Sequence, residues 1–211
     1  MIHVIDNILD VAELVSDLDA VIFDLDDTLY SEKEYVRSGY HEIAKHFWNI
    51  QNMEEKLWSA FSDKKQAINE VLLLEGYFNE ETLRRCLTIY REHIPRINLY
   101  PGVREMLLKM KHGGKKLGLI TDGRSNGQRN KIESLHLYSV FDEIIVTDEL
   151  GGELFRKPNP RAFELMKMKL GVPYERMCYI GDNMAKDFVA PQQLAMNCFW
   201  FRNPDGLYSL W

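Results

Sequence analysis

The sequence predicts an α/β protein, a doubly wound parallel sheet with an inserted helical block. Three observations predict it. Short apolar runs such as Ala20–Phe23, Leu117–Ile120 and Met177–Ile180 read as strands buried on both faces. Segments of helical periodicity alternate with them, the pattern of a parallel sheet covered by helices on either side. One stretch, 31–96, breaks the alternation with helix-like sequence alone, rich in aromatic and charged residues.

The elements follow in order. Ile8, Leu9, Val11, Ala12, Leu14 and Val15 have helical spacing and predict a helix over 8–17. Strand one is expected over 20–25. The helical block carries apolar stripes through Tyr35 and Tyr40, Leu57 and Trp58, Ile68 to Leu74, and Leu83 to Ile94. Trp48, Trp58 and Phe61 are expected in its interior. After Tyr100-Pro101-Gly102 a helix over 103–111 is stopped by Gly113-Gly114. Strand two, 117–120, runs into Thr121-Asp122-Gly123, and a helix follows over 128–136. Strand three is expected over 141–146, with a helix over 160–170 ended by Gly171. Strand four, 177–180, ends at Gly181-Asp182, followed by a helix over 185–194 and a strand over 196–201. The expected division is a core of residues 1–30 and 97–211 and a helical unit of residues 31–96 inserted between strands one and two.

The chain has 211 residues, enough for one core with a smaller appended unit. Its formal net charge of −6 disfavours an electrostatic grip on nucleic acid or on an anionic membrane. Cys86, Cys178 and Cys198 show no Cys-x-x-Cys spacing; Cys178 and Cys198, in apolar strand-like runs, are expected to be buried thiols, and a reducing compartment fits. Neither a secretory signal nor a membrane-spanning run is visible, so a cytoplasmic protein is expected, monomeric or homodimeric.

The strand ends carry the chemistry. Asp24 and Asp26, two residues apart, share a face if the strand persists. They then lie at the C-terminal edge, where open α/β sheets bind ligands. Two close carboxylates need a divalent cation or a shared proton to offset their repulsion. Thr121, Lys157, and Gly181-Asp182 with Asp187 fall at or after the other strand ends. Taken singly, Asp27 could cap a helix, Thr121 could be an N-cap, Lys157 a solvated loop lysine and Asp187 a helix-surface charge. Taken together, the carboxylates suit magnesium, and the hydroxyl, the amides near Gly123 and the lysine suit a phosphoryl group.

Asp24-Leu25-Asp26-Asp27-Thr28, Thr121, Lys157, and Gly181-Asp182 with Asp187 resemble the four ordered motifs of the haloacid dehalogenase (HAD) superfamily. The resemblance covers the sheet from about Val21 to Trp200, and reaches the helical unit, a C1-type cap, by position only. It implies a HAD-like Rossmannoid core and an Mg²⁺-dependent phosphatase acting through an aspartyl-phosphate. Asp24 would be the nucleophile and Asp26 the acid and base. Mg²⁺ would be held by the Asp24 carboxylate, the Asp26 main-chain carbonyl and Asp182, with Asp187 orienting water or Lys157 from behind. Thr121 and the Asp122 and Gly123 amides would hold phosphoryl oxygens, and Lys157 would neutralise the transferring group.

Asp26 also separates branches. A halide leaves without a proton and an alkoxide does not, so C–O–P ester cleavage is expected rather than C–halogen cleavage. A phosphomutase of the same superfamily and a non-catalytic binding protein on this fold are the alternatives. The expected substrate is a small phosphorylated metabolite: a sugar phosphate, a nucleotide or a phosphorylated acid. Asp122 is a departure, since many phosphatases of this branch carry Asn there. Its carboxylate is expected to turn away or to pair with Arg124. In the helical unit, Arg37, His41, Lys45 and His46 are candidates for contact with substrate. The hinges are expected near Leu29 to Glu32 and Asn98 to Gly102.

Overall fold

A computed structural model describes residues 1–207. Six parallel strands form one sheet in the order β1-β6-β5-β2-β3-β4. They are β1 (Ile2–Ile5), β2 (Ala20–Phe23), β3 (Lys116–Thr121), β4 (Glu143–Val146), β5 (Met177–Gly181) and β6 (Asn197–Phe201). The central pair, β2 and β5, is buried at every residue. That explains why these strands read as unbroken apolar runs rather than alternating ones.

Nine α-helices connect the strands among the described residues: α1 (Val11–Leu14), α2 (Glu32–His46), α3 (Met53–Ser62), α4 (Ala67–Leu74), α5 (Glu80–Glu92), α6 (Val103–His112), α7 (Ser125–Ser134), α8 (Arg161–Leu170) and α9 (Val189–Gln193). None is long and apolar enough to cross a membrane. Cys86, Cys178 and Cys198 are buried free thiols.

The chain divides into two compact units, residues 1–32 with 98–211 and residues 33–97. The sheet unit is built on a cluster that includes Ile22, Ile120, Phe163, Met166, Tyr179 and Phe188. The helical unit has a core of its own. The α2 stripe Val36, Tyr40 and Ile43 meets Leu57, Ile68, Leu72 and Cys86. Within the sheet unit the two crossing segments are tied to each other, with the Tyr100 amide donating to the Leu29 carbonyl at 2.9 Å.

Several sequence expectations change. β1 was not anticipated; it is short and pairs only with β6, at one edge of the sheet. The expected helix over 8–17 resolves into a 3-10 turn at Ile8–Asp10 and a single α-helical turn. The Asn7 side chain caps the 3-10 turn, accepting from the Leu9 amide. Strand one stops at Phe23, and Asp27 turns the chain with φ of 54°. The last helix begins at Val189 rather than 185, because Asp187 and Asn183 hold the preceding residues in a turn. Trp58 and Phe61 pack against the helical core as expected. Trp48 does not. It lies in the turn after α2 and is 83% exposed, while its neighbour Phe47 takes the inward position.

The chain after β6 returns to the sheet unit. Asn203 Nδ2 donates to the Asp27 carbonyl and to the Tyr100 hydroxyl, each at 2.8 Å, and the Leu207 amide donates to Asp27 Oδ2 at 2.7 Å. Asn203 and Leu207 therefore tie this segment to the sheet unit; residues 208–211, with Tyr208 and Trp211, lie outside the described residues.

Candidate active site

The site is assembled where the central strands end. The Asp24 amide donates to the Ile180 carbonyl at 2.8 Å, extending the ladder by one residue and bringing Asp24 level with the end of β5. The chain then leaves the sheet. Asp27 Oδ1 accepts from the Glu32 amide at 2.8 Å, so Asp27 does serve the start of α2, as a helix cap would. Asp24, Asp26, Asp122, Gly123, Lys157 and Asp182 line one cavity of about 300 Å³. Glu32, Arg156 and Lys186 complete it.

Lys157 is the hub. Its ammonium, fully buried, lies 2.5 Å from Asp24 Oδ1, 2.8 Å from Asp187 Oδ1 and 2.8 Å from the Tyr179 hydroxyl. A lysine buried this deeply is tolerated because carboxylates surround it. Burial opposes its charge, but Asp187 and Asp24 outweigh burial and hold its pKa well above the usual lysine range. Asp187 spends its other oxygen on the Asn183 amide, at 2.9 Å. A Cβ at residue 181 would collide with the Asp187 carboxylate, which gives a physical reason for the glycine before Asp182.

The electrostatics divide the acids. Burial, then the Asp187 and Asp26 charges, push Asp24 up to about 7 against the pull of Lys157. Burial and the Asp24 and Asp187 charges push Asp182 up to about 9. Glu32 rises to about 8, by burial and then by the Asp26 charge. Asp26 goes the other way. Burial opposes its ionisation, but the Lys131 charge and hydrogen bonds from Gln128, Lys131 and Tyr30 prevail and hold it below the ordinary carboxylate range.

Asp24, Asp182 and Asp187 each offer a carboxylate oxygen within 4.8 Å of the others. Oxygen donors around a polar cavity are the ligand set of a hard divalent cation. Both oxygens of Asp187 are already engaged, which leaves Asp24 and Asp182 as the better donors. A cation between them would favour the charged form of both.

Two expected site residues do not line the cavity. Thr121 is fully buried, and its Oγ1 accepts from Gln128 Nε2 at 2.6 Å. Asp187 sits behind Lys157. Asp122 engages both of its carboxylate oxygens with protein partners. Oδ1 accepts from the Thr147 hydroxyl at 2.9 Å and the Lys157 amide at 3.1 Å, and Lys186 Nζ lies 3.4 Å from Oδ2. Its cationic neighbour is therefore Lys186, and Arg124, the expected alternative, is exposed. In the helical unit, His41 Nδ1 lies 2.7 Å from Glu54, Arg37 pairs loosely with the same Glu54, and Lys45 and His46 bond to Glu42.

Sequence reasoning missed Glu32, Arg156 and Lys186 at the cavity, and Tyr30, Gln128 and Lys131 around Asp26. The one available signal was Gln128 and Lys131, polar residues spaced three apart on a helix beginning just after the Thr121 turn. Arg156 forms a bidentate pair with Asp148, at 2.7 Å through both nitrogens.

A model of the haloacid dehalogenase-like hydrolases matches residues 21–201. A glyceraldehyde 3-phosphate phosphatase of Methanocaldococcus jannaschii is 26% identical over 193 residues, covering 83% of this chain and 81% of the relative. The pyrimidine 5'-nucleotidase YjjG of Escherichia coli is 24% identical and covers 92% of each chain. Among solved structures, the HAD-hydrolase YfnB of Bacillus subtilis, bound to magnesium, superposes with a TM-score of 0.62 at 20% identity, covering 89% of this chain and 90% of that one.

Proposed function

The chain belongs to the haloacid dehalogenase-like hydrolase family, and from that premise we propose that it is an Mg²⁺-dependent phosphatase of a small phosphomonoester. The observation that carries this reading is the meeting of Asp24, Asp26, Asp182 and Lys157 at one cavity, with Lys157 Nζ 2.5 Å from Asp24. Two of the relatives are named as phosphatase and nucleotidase, which supports phosphoryl ester hydrolysis over dehalogenation. Asp26 supports it too, since an oxygen leaving group needs a proton and a halide does not.

Asp24 attacks phosphorus, the bond to the leaving oxygen breaks, and Asp26 gives that oxygen a proton. Asp26, now a carboxylate, removes a proton from water. The water attacks the aspartyl-phosphate, releasing phosphate and restoring Asp24. The hydrogen bonds and charge around Asp26 favour its carboxylate form, which suits the second half. Lys157 balances the negative charge of Asp24 and of the incoming phosphoryl oxygens. The Asp122 and Gly123 amides hold those oxygens, Thr121 stands behind them bonded to Gln128, and Asp187 keeps Lys157 in place. Mg²⁺ would be held by the Asp24 and Asp182 carboxylates and the Asp26 carbonyl, and would supply charge neutralisation to the phosphoryl group. Residues 31–96 act as a cap that selects the substrate, with hinges near Leu29 to Glu32 and Asn98 to Gly102.

The test is a phosphate-release assay over an aryl phosphate and a panel of triose and sugar phosphates, pyrimidine nucleotides and phosphorylated acids. Turnover should need Mg²⁺, vanish in EDTA, return on adding Mg²⁺ and be inhibited by Ca²⁺, whose looser shell suits in-line transfer poorly. Full activity after exhaustive metal removal would sink this reading.

A further inference from the structure

Three donors outside the strand-end motifs converge on the Asp26 carboxylate. Lys131 Nζ donates to Oδ1 at 2.7 Å, the Tyr30 hydroxyl donates to the same oxygen, and Gln128 Nε2 donates to Oδ2 at 2.8 Å. Gln128 and Lys131 are three residues apart on α7, so one face of the helix presents both. The same Gln128 nitrogen lies 2.6 Å from Thr121 Oγ1 and 2.6 Å from the Asp122 carbonyl. It therefore bridges the carboxylate at the end of one central strand and the hydroxyl at the end of its neighbour.

This arrangement is costly, which argues for a purpose. Gln128 and Lys131 are 3% and 5% exposed. Burying a lysine in an ion pair is a poor route to stability, because desolvation consumes most of the Coulombic gain. Three hydrogen bonds on a partly buried carboxylate do restrict its rotation. The turn after β3 makes room for the bridge. Gly123 has φ of +135°, and a Cβ there would stand 3.3 Å from Gln128 Cγ and Cδ.

We propose that Tyr30, Gln128 and Lys131 are positioning residues that fix the acid–base carboxylate Asp26 and, through Gln128, hold it in register with Thr121. The inference rests on the phosphatase reading. Its consequence is selective. Loss of the clamp slows steps that need proton transfer at Asp26 and spares substrate binding.

The experiment compares wild type, Gln128→Met, Lys131→Met, Tyr30→Phe and Asp26→Asn on two substrates, an alkyl phosphate and a nitrophenyl phosphate. On the alkyl phosphate, Lys131→Met should lower kcat by about 100-fold with KM little changed. On the nitrophenyl phosphate, whose leaving group departs without a proton, first-turnover release of the leaving group should lose far less than on the alkyl phosphate, while hydrolysis of the phospho-enzyme, which uses Asp26 as base, should slow alike on both. In an Asp26→Asn background, Lys131→Met should add no further loss. Equal losses of first-turnover leaving-group release on both substrates, or additive losses in that background, overturn the proposal. Tyr30→Phe deletes a single hydroxyl, so it reads the same pattern should the buried lysine be needed for folding.

A thermal-unfolding cycle between Asp26→Asn and either Lys131→Met or Tyr30→Phe adds a readout independent of turnover. Non-additive shifts in Tm support the clamp, and additive shifts overturn it. A wild-type protein inert toward every phosphate would instead overturn the phosphatase reading, leaving the result of the cycle intact.

Discussion

The sheet unit and the helical unit obey different rules. In the sheet unit charge is buried: Asp24, Lys157 and Asp187 lie inside, next to one another, at the ends of fully apolar strands. In the helical unit charge stays outside, in exposed or half-exposed pairs such as Lys45 with Glu42 and Lys56 with Glu75, over an interior that is almost entirely apolar. Exposed pairs of this kind contribute little to stability. Buried charge costs stability and persists where chemistry needs it. The contrast agrees with the proposal that chemistry lies in the sheet unit, and leaves the other to be held by packing.

Substitutions should separate the two. The largest effect is expected from Asp24→Asn, which removes the proposed nucleophile and one carboxylate of the candidate metal site. Turnover should fall on the order of 10⁴-fold or more. The fold should survive, since Lys157 keeps Asp187 and one member of a crowded acid group becomes neutral. Measured phosphate release together with a melting curve checks both halves, and an unfolded variant would break the contrast.

Next in size is Leu57→Ala in the helical unit. Leu57 is fully buried, so its truncation should cost about 2–5 kcal/mol of local stability. Hydrogen exchange should report the loss within residues 33–97, while aryl phosphate turnover changes far less than in Asp24→Asn. A collapse of chemistry equal to that of Asp24→Asn would show that the helical unit does more than select.

The smallest effect concerns pH. The folded-state values of about 7 for Asp24, about 8 for Glu32 and about 9 for Asp182 lie above the ordinary carboxylate range. Between that range and those values the native state keeps protons that the unfolded chain has released, so stability falls as pH rises. Asp26, lowered in the fold, contributes fully above its unfolded value and is constant across this window. In EDTA the protein should therefore melt at a higher temperature near pH 5.5 than near pH 8.5, and Mg²⁺ should narrow the gap. Melting temperature rising with pH in EDTA would contradict the buried-acid account.

The sheet was readable because burial on both faces leaves an unambiguous apolar run, as at Val21–Phe23 and Cys178–Ile180. Edge strand β1 was not, because Ile2-His3-Val4-Ile5 is four residues long with one buried position, and its pairing with β6 involves the opposite end of the chain. Trp48 was misread for a related reason. Helical periodicity fixes a stripe only inside a helix, and Trp48 falls in the turn just past α2.

By itself the sequence determined the sheet class, the inserted helical block and the ordered candidates Asp24, Asp26, Thr121, Lys157, Asp182 and Asp187, since strand ends and their polar residues are local features. Only the tertiary structure decided what those groups touch. Lys157 reaches Asp24 across 133 positions, Lys131 reaches Asp26 across 105, and Asp122 meets Lys186 across 64. Neither their ion pairs nor the directions in which burial and neighbours push their pKa values can be read from spacing. Both depend on which charges lie within a few ångströms once water is excluded, and that is fixed by how the strands are ordered in the sheet.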